Sequence, residues 1–174
     1  YGGDVEHLRY AKSQLTVPLV RGDFIVHPLQ ISEASINGAD AILLVAGACL
    51  PDLEDFLNIA SLTGLECIVE VHTQLEMEFA VEAGATILLC TNLDRRTNTV
   101  VPGTAEMLRQ QLPDFIITVA GGEISSAGEC WDLLDEGFDA VMLGRTLFNT
   151  RHGEELIKEI RSRKADQAMR FFRG

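Results

Sequence analysis

Short apolar runs alternate with longer segments of helical periodicity along most of the chain. Each run is bounded by glycine, proline or charged residues, which is typical of strands buried in a parallel sheet. The predicted strands lie at 17–26, 41–47, 66–72, 86–91, 115–120 and 140–144. The predicted helices lie at 4–14, 27–37, 50–63, 74–83, 104–112, 125–136 and from 151 onward. This regular alternation predicts a parallel sheet with helices covering it.

A glycine-led tripeptide recurs where predicted helices give way to strands. Gly38-Ala39-Asp40, Gly84-Ala85-Thr86 and Gly137-Phe138-Asp139 occupy this place. The recurrence indicates an internal structural repeat, as in a (β/α) barrel, more than a dinucleotide-binding strand order. Asp4, Thr104 and either Ser125 or Ser126 are the expected helix caps.

We expect one domain over 1–174, with 151–174 forming a charged C-terminal helix. A full barrel has eight strands and about 250 residues, whereas six strands are predicted in these 174 residues. Because an open arc of strands would expose two long edges, we expect strands 1 and 2 to precede Tyr1. A partner chain that covers the gap, or a different closure of the six units, are the alternatives.

The charge and the cysteine spacing exclude several classes of function. A formal net charge of −12 at pH 7 makes nucleic acids and anionic membranes poor partners, because both require a basic face. The four cysteines lack metal-binding spacing, so we expect no metal and assign them to the core. No apolar run approaches the roughly 18 residues of a membrane span. The chain also lacks a GxGxxG or P-loop pattern, so we expect no cofactor.

Basic side chains are frequent in the last predicted helix, namely Arg161, Arg163, Lys164, Arg170 and Arg173. A solvated helix face is the simpler interpretation, and an anion-binding tail is the alternative. The apolar positions of this helix are helically spaced, which predicts that it docks on the rest of the protein.

The first apolar run, rich in β-branched residues, is expected to be buried on both faces of the sheet. It is interrupted by Arg21-Gly22-Asp23 where its strand should end, which is the edge that carries chemistry in parallel α/β folds. The run resembles the third strand of the indole-3-glycerol-phosphate synthase family, with the pattern P-L-L-[RC]-K-[DE]-F. The segments 38–44 (GADAILL), 69–72 (VEVH) and 140–147 (AVMLGRTL) are similar to further strands of that family.

This resemblance implies a (β/α)8 TIM barrel of the ribulose-phosphate-binding type, with about strands 3–8 present. It also implies the family's reaction, the decarboxylative ring closure of a carboxyphenylamino-deoxyribulose phosphate. In that family a lysine is the general acid, a glutamate is the general base, and glycine-rich loops after strands 7 and 8 hold the phosphate. The base position is Glu70 here, and the phosphate positions include Gly122, Gly144 and Arg145. A structural alternative for Glu70 is an ion pair with Arg21 or Arg95.

The position of the family's lysine is occupied by Gly22. Arg21 is a neighbouring cation, but strand alternation points it to the other face, and a guanidinium does not release a proton near neutral pH. Asp23 matches the family pattern and is expected to be structural, although it could also line the pocket with Arg21.

Other departures fall on the candidate phosphate and pocket positions. Thr91 replaces the first asparagine of the family's sixth-strand pattern, and Asn92 matches the second. Gly122 replaces a serine, and Glu123 replaces the phosphate-loop glycine, where a carboxylate would repel a phosphate. Arg145 could compensate by pairing with Glu123 or by binding an anion directly.

These departures favour a synthase-like barrel that has lost synthase activity and acts as a structural, assembly or binding subunit, with a protein partner or a larger complex. The alternative is a functional synthase, or a related lyase built on Glu70, Arg145 and Asp94. A small phosphorylated ligand is expected if the anion site is kept. The pathway implies a soluble protein of the cytoplasm or the plastid stroma, and the sequence favours neither compartment.

Overall fold

The computed structural model describes residues 3–149 and 153–171, with side chains described for 3–148 and 153–163. Its strands are β1 (Val20–Gly22), β2 (Ala41–Val45), β3 (Glu66–Val71), β4 (Ile87–Thr91), β5 (Leu93–Asp94), β6 (Thr99–Val100), β7 (Ile117–Gly121) and β8 (Ala140–Val141). Its helices are α1 (Val5–Gln14), α2 (Pro28–Ile36), α3 (Ala46–Cys49), α4 (Leu53–Leu62), α5 (Gln74–Glu82), α6 (Thr104–Arg109), α7 (Ala127–Asp135), α8 (Arg145–Asn149) and α9 (Gly153–Phe171).

The predicted alternation of strands and helices is confirmed, with six strands hydrogen-bonded in the order β1-β2-β3-β4-β7-β8. The described pairs β1–β2, β2–β3 and β7–β8 are parallel. A parallel sheet in this order, with helices in the crossovers, is the arrangement of (β/α) folds. The expectation that strands 1 and 2 precede Tyr1 stays a prediction.

Strand β1 is shorter and more exposed than the sequence predicted. Only three residues pair, and the expected burial on both faces is wrong, since Val17 and Val20 are exposed. The physical reason is position: β1 is last in the strand order among the described residues and pairs with β2 alone. A strand at such an edge has neighbours on one side only.

Three other expectations about local structure are wrong. The predicted loop 92–103 contains the antiparallel pair β5–β6, and the predicted helix 50–63 begins later, after the separate short helix α3. Thr104 does not cap α6. Gly103 holds the cap position at φ 85°, a left-handed conformation that favours glycine. The caps at Asp4 and Ser126 are confirmed, each side chain accepting a hydrogen bond from a backbone N–H of the first helical turn.

The described residues form two compact units. The first comprises the chain up to Leu89 with Pro113–Ile117, and the second comprises Cys90–Leu112 with the described residues from Thr118 onward. In the first unit, alternate residues of β2 and β3 are fully buried and face α2 and α4. This core includes Ile31, Ala34, Ile42, Leu44, Leu53, Phe56, Ala60 and Val69. Each large side chain buried in this way stabilises the fold by about 1.5 to 3 kcal/mol.

In the second unit, α9 docks on α7, as its apolar spacing predicted. The Arg163 guanidinium lies 5.5 Å from the Trp131 ring centroid and 2.6 Å from an Asp135 carboxylate oxygen. Arg163 therefore serves the fold, since cation–π and ionic contacts both fix it to α7. The side chains of Lys164, Arg170 and Arg173 lie outside the described ones, so the anion-binding alternative for this tail stays a prediction.

Two of the three repeated tripeptides, those that end in Asp40 and Asp139, form the same hydrogen-bonded clasp, one in each unit. In the first unit, Leu19 N–H donates to the Asp40 carboxylate at 2.8 Å, and Asp40 N–H donates to Leu19 C=O at 2.8 Å. In the second, Thr118 N–H donates to Asp139 at 2.8 Å, and Asp139 N–H donates to Thr118 C=O at 3.0 Å. The sequence separation is 21 residues in both cases. This agreement supports the internal repeat that the recurring tripeptides indicated.

The first clasp also anchors α1, which has no buried residues. Lys12 Nζ lies 2.8 Å from both Asp40 carboxylate oxygens, and Arg9 donates to the Asn37 side chain at 2.7 Å. The hydrogen bond from Lys12 is the first cause that holds the pKa of Asp40 below its usual 3.8. Because the folded-state pKa is the lower one, this anchor is fully present above pH 3.8 and is lost as the pH falls through the folded pKa.

We expect Asp40→Asn to loosen α1 at neutral pH, because the helix loses its charged anchor and has no buried face to replace it. Amide hydrogen exchange should show weaker protection of the α1 amides in the variant at pH 7. In the natural protein, the protection of these amides should fall to the level of the variant as the pH falls below 3.8. Glu82→Gln, an exposed carboxylate at the end of α5, is the matched control and should leave α1 unchanged. Unaltered α1 protection in Asp40→Asn would show that the helix is held by other contacts.

Candidate functional site

Arg21 points away from the face that Gly22 occupies and into α2. Its guanidinium donates to the Glu33 carboxylate at 2.7 Å, to the Gln30 carbonyl at 3.0 Å and to Asp23 at 3.0 Å. The Arg21 side chain is 12% exposed. The orientation predicted from strand alternation is therefore confirmed. Arg21 and Asp23, both named as pocket candidates, are joined to each other and to α2.

Gly22 and Glu70 lie on the same face of the sheet. Gly22 pairs with Leu43, and Leu43 pairs with Ile68, two residues before Glu70 on β3. Register partners in a parallel sheet share a face, and so do residues two apart on one strand. From ordinary strand spacing and rise, the two Cα atoms are about 12 Å apart. A long side chain at position 22 would thus point to the same side as the Glu70 carboxylate.

The surroundings of these two residues differ. Glu70 is 2% exposed at the end of β3, where barrel strands carry functional groups. A Cβ built on Gly22 meets no heavy atom within 4 Å, and the backbone there does not have a positive φ. Among the described residues, position 22 therefore has room for a side chain, and its backbone does not require glycine.

Sequence reasoning missed a second buried carboxylate in this unit, that of Glu76. It accepts hydrogen bonds from the backbone N–H groups of His72 at 2.8 Å and Thr73 at 3.1 Å. A Cβ on Gly47 would lie 2.7 Å from Glu76 Oε1, so a larger residue at position 47 would require this carboxylate to move. The Thr73-x-x-Glu76 spacing is a capping-box signature that could have revealed it. Glu76 caps α5 and is not a candidate for chemistry.

In the second unit, Asn92 links the end of β4 to two other elements. Its N–H donates to Gly121 C=O at 3.3 Å, and its side-chain oxygen accepts from Ala105 N–H of α6 at 2.9 Å. Gly122 has φ 115°, and a Cβ there would lie 3.2 Å from both the Cβ and the N of Asn92. Glycine at 122 is therefore required by backbone conformation and by the close approach of Asn92.

The neighbouring candidates Thr91 and Asp94 also bond to backbone. The Thr91 hydroxyl accepts from Leu93 N–H at 3.1 Å, and Asp94 accepts from Arg96 N–H at 2.8 Å. This hydrogen bond to Arg96 N–H is the first cause that keeps the pKa of Asp94 below its usual value. Both side chains therefore stabilise the β5–β6 turn region.

Glu123 and Arg145 form an ion pair between the turn after β7 and the start of α8. Their side chains are 41% and 49% exposed. Next to this pair, the Thr146 hydroxyl donates to Ile124 C=O at 2.7 Å. Of the two roles that the sequence left open for Arg145, the structure has the pairing with Glu123. Gly144 is exposed, and a Cβ on it meets nothing within 4 Å.

Three of the described cysteines have thiols with raised pKa values. Burial raises the pKa of Cys49 to about 11 and the pKa of Cys67 and Cys90 to about 12, so these thiols stay protonated at neutral pH. Among the described residues, no group of three or more His, Cys, Asp or Glu could hold a metal ion. No helix within the described ranges is long and apolar enough to cross a bilayer.

The family to which these features point is shown by comparison. The family described as indole-3-glycerol phosphate synthase matches residues 1–160 of the chain. The chain belongs to this family. The synthase of Chlorobium luteolum (strain DSM 273 / BCRC 81028 / 2530) is 39% identical over 148 residues, which are 84% of this chain and 56% of that protein. The synthase of Acetivibrio thermocellus is 34% identical over 163 residues, which are 93% of this chain and 63% of that protein.

This indole-3-glycerol phosphate synthase family member thus spans less than two thirds of the length of these relatives. Solved structures show the same fold at low identity. The 3-hexulose-6-phosphate synthase of Salmonella typhimurium has a TM-score of 0.77 at 15% identity, covering 90% of this chain and 77% of that one. A mutant tryptophan synthase alpha-subunit of Pyrococcus furiosus has a TM-score of 0.67 at 17% identity, covering 91% of this chain and 73% of that one. The fold is therefore of the TIM-barrel type.

Proposed function

We propose that this protein is a member of the indole-3-glycerol phosphate synthase family that has lost the ring-closing activity and acts as a structural, assembly or binding subunit. The observation that carries the proposal is Gly22, which stands where the family resemblance places the lysine acid. Ring closure needs a carbonyl activated by a proton donor, and loss of a general acid slows such a step by about 10²- to 10⁴-fold.

Among the described residues, Arg21 is the cation next to Gly22, and it does not supply the missing proton. Arg21 points into α2 and is engaged by Glu33 and Asp23. Its guanidinium would not release a proton near neutral pH even if it reached the substrate. The barrel face that Gly22 shares with Glu70 thus keeps a candidate base and lacks the acid.

The anion side of the reaction is weakened as well. Arg145, the cation after β8, is paired with Glu123. A carboxylate that close to a bound phosphate would raise the free energy of the complex by about 4 kcal/mol for unit charges 4 Å apart at an effective dielectric constant of 20. Two departures from the family pattern therefore weigh against the family's reaction, one at the acid position and one at a phosphate position.

A second candidate function is the synthase reaction itself, carried out with an altered acid. It is favoured by Glu70, which is buried at the end of β3 on the face that position 22 shares. It is also favoured by the relatives, which carry the synthase name at 34% to 39% identity. In this reading Glu70 keeps the role of base.

Turnover of the carboxyphenylamino-deoxyribulose phosphate by the full-length protein tests the proposal. We expect no indole-3-glycerol phosphate above the uncatalysed rate, and no heat on calorimetric titration with the reduced, non-cyclising analogue up to millimolar concentration. The Chlorobium luteolum synthase is the positive control under the same conditions. Product formation that is abolished by Glu70→Gln would overturn the proposal in favour of the synthase.

A further inference from the structure

We infer that Glu123 is a specificity-determining residue whose carboxylate occupies the Arg145 guanidinium and excludes phosphate monoesters from the turns after β7 and β8. The inference deepens the proposed function and rests on it in one respect, namely that these turns face a ligand site. It assigns the loss of phosphate binding to one removable side chain.

The contact between the two side chains is direct. An Arg145 Nη2 donates to a Glu123 Oε1, and both side chains are close to half exposed. An arginine fork binds a carboxylate and a phosphate with the same donors. A phosphate that approaches from solvent must therefore displace Glu123 and then remain beside its negative charge.

The backbone around the pair is fixed, so the carboxylate is held ready. Thr146 Oγ1 donates to Ile124 C=O at 2.7 Å, and Ile124 N–H donates to Gly122 C=O at 2.9 Å. The first bond ties Ile124 to the start of α8, and the second closes the turn around Glu123. Since little conformational freedom is lost on pairing, an internal carboxylate competes well with a ligand from solution.

The surroundings would otherwise suit a phosphate group. Barrels of this fold commonly bind phosphate with the loops that follow their last two strands. Here those loops carry Gly122 and Gly144, and no heavy atom of the described residues lies within 4 Å of the Cβ position of Gly144. Backbone without side chains, open space and an arginine are the features that a phosphate site requires. Glu123 is the charge that opposes them.

Phosphate binding to the full-length protein tests this inference directly. Inorganic phosphate and glycerol 3-phosphate are titrated at constant ionic strength and followed by calorimetry. We expect the natural protein to bind neither below about 10 mM, and Glu123→Gly to bind glycerol 3-phosphate at least tenfold more tightly. Glu123→Gln keeps the shape of the side chain and removes its charge. Its affinity for glycerol 3-phosphate should therefore lie between those of the natural protein and Glu123→Gly.

Two further variants separate a specific site from a general change in charge. Glu123→Gly with Arg145→Gln should lose the gained affinity. Glu129→Gln removes a carboxylate of the same unit that is bonded to Ser125, and it should behave like the natural protein.

An equal affinity in Glu123→Gly and the natural protein, or a gain that survives Arg145→Gln, would overturn the inference. Tight phosphate binding by a natural protein that makes no product would overturn this inference and leave the proposed function standing. Turnover would overturn the proposed function instead.

Discussion

Ring closure by the Gly22→Lys variant is expected to be about 10²- to 10⁴-fold faster in kcat than by the natural protein, because the substitution supplies the missing general acid. Position 22 accepts the side chain: a Cβ meets no heavy atom within 4 Å, and φ is not positive. The β1–β2–β3 register points that side chain to the face that carries Glu70. The measurement is a steady-state assay of indole-3-glycerol phosphate formation at saturating substrate.

Three variants decide whether the gain comes from proton donation. Gly22→Arg adds a cation that does not release a proton near neutral pH, and Gly22→Met adds length without charge. Both should remain at the natural rate. Adding Glu70→Gln to Gly22→Lys should remove the gain if Glu70 is the base. A Gly22→Lys variant without any gain would show that more than the acid has been lost.

The strands buried on both faces were predictable because a continuous apolar run has few other uses in a short segment. β2 and β4 illustrate this, since each is bounded by turn residues and almost wholly buried. Strand β1 shows the limit of the same signal. Its apolar run is typical of a buried strand, yet β1 lies last in the order of the described strands and is partly exposed there. The pattern of apolar residues indicates that a segment favours burial. It does not show whether a helix or strand packs over that segment.

The small elements were missed for a different reason. Strands β5 and β6 have two residues each, so no alternation can develop in them. Helix α3 has only four residues, Ala46–Cys49, and follows directly on a strand without a side-chain cap. The helix α3 also packs against β3 and α5, which are contacts that local periodicity cannot report.

In the candidate site, orientation was predictable and pairing was not. Strand alternation alone placed Arg21 on the face opposite Gly22, since successive side chains on a strand point in opposite directions. For Arg145 the sequence left pairing with Glu123 and anion binding equally open. The two residues lie 22 positions apart, and only the folded backbone decides whether their side chains meet. Glu76 and Gly47 are likewise far apart in the sequence and lie close together only in the folded chain.

Truncation of the second clasp, Asp139→Ala, is expected to lower the free energy of unfolding by about 1 to 3 kcal/mol at pH 7. The carboxylate accepts from Thr118 N–H at 2.8 Å and from the Thr118 hydroxyl at 3.0 Å. Thr118 is fully buried but Asp139 is exposed, so water partly replaces the lost acceptor and the loss should lie toward the lower end of this range. Urea unfolding of the natural and variant proteins gives the difference.

The pH dependence of that difference distinguishes an ionised clasp from simple packing. The hydrogen bond from Thr118 N–H is the first cause that holds the pKa of Asp139 below its usual 3.8. A lowered folded-state pKa stabilises the protein above pH 3.8, and this contribution disappears as the pH falls through the folded pKa. The gap between natural protein and Asp139→Ala should therefore narrow below pH 3.8. Thr118→Val keeps the backbone donor and should lose less stability than Asp139→Ala. Glu136→Gln should change neither the free energy of unfolding at pH 7 nor its dependence on pH. A gap that stays constant with pH would mean that the Asp139 charge contributes nothing, and that the clasp acts through its shape alone.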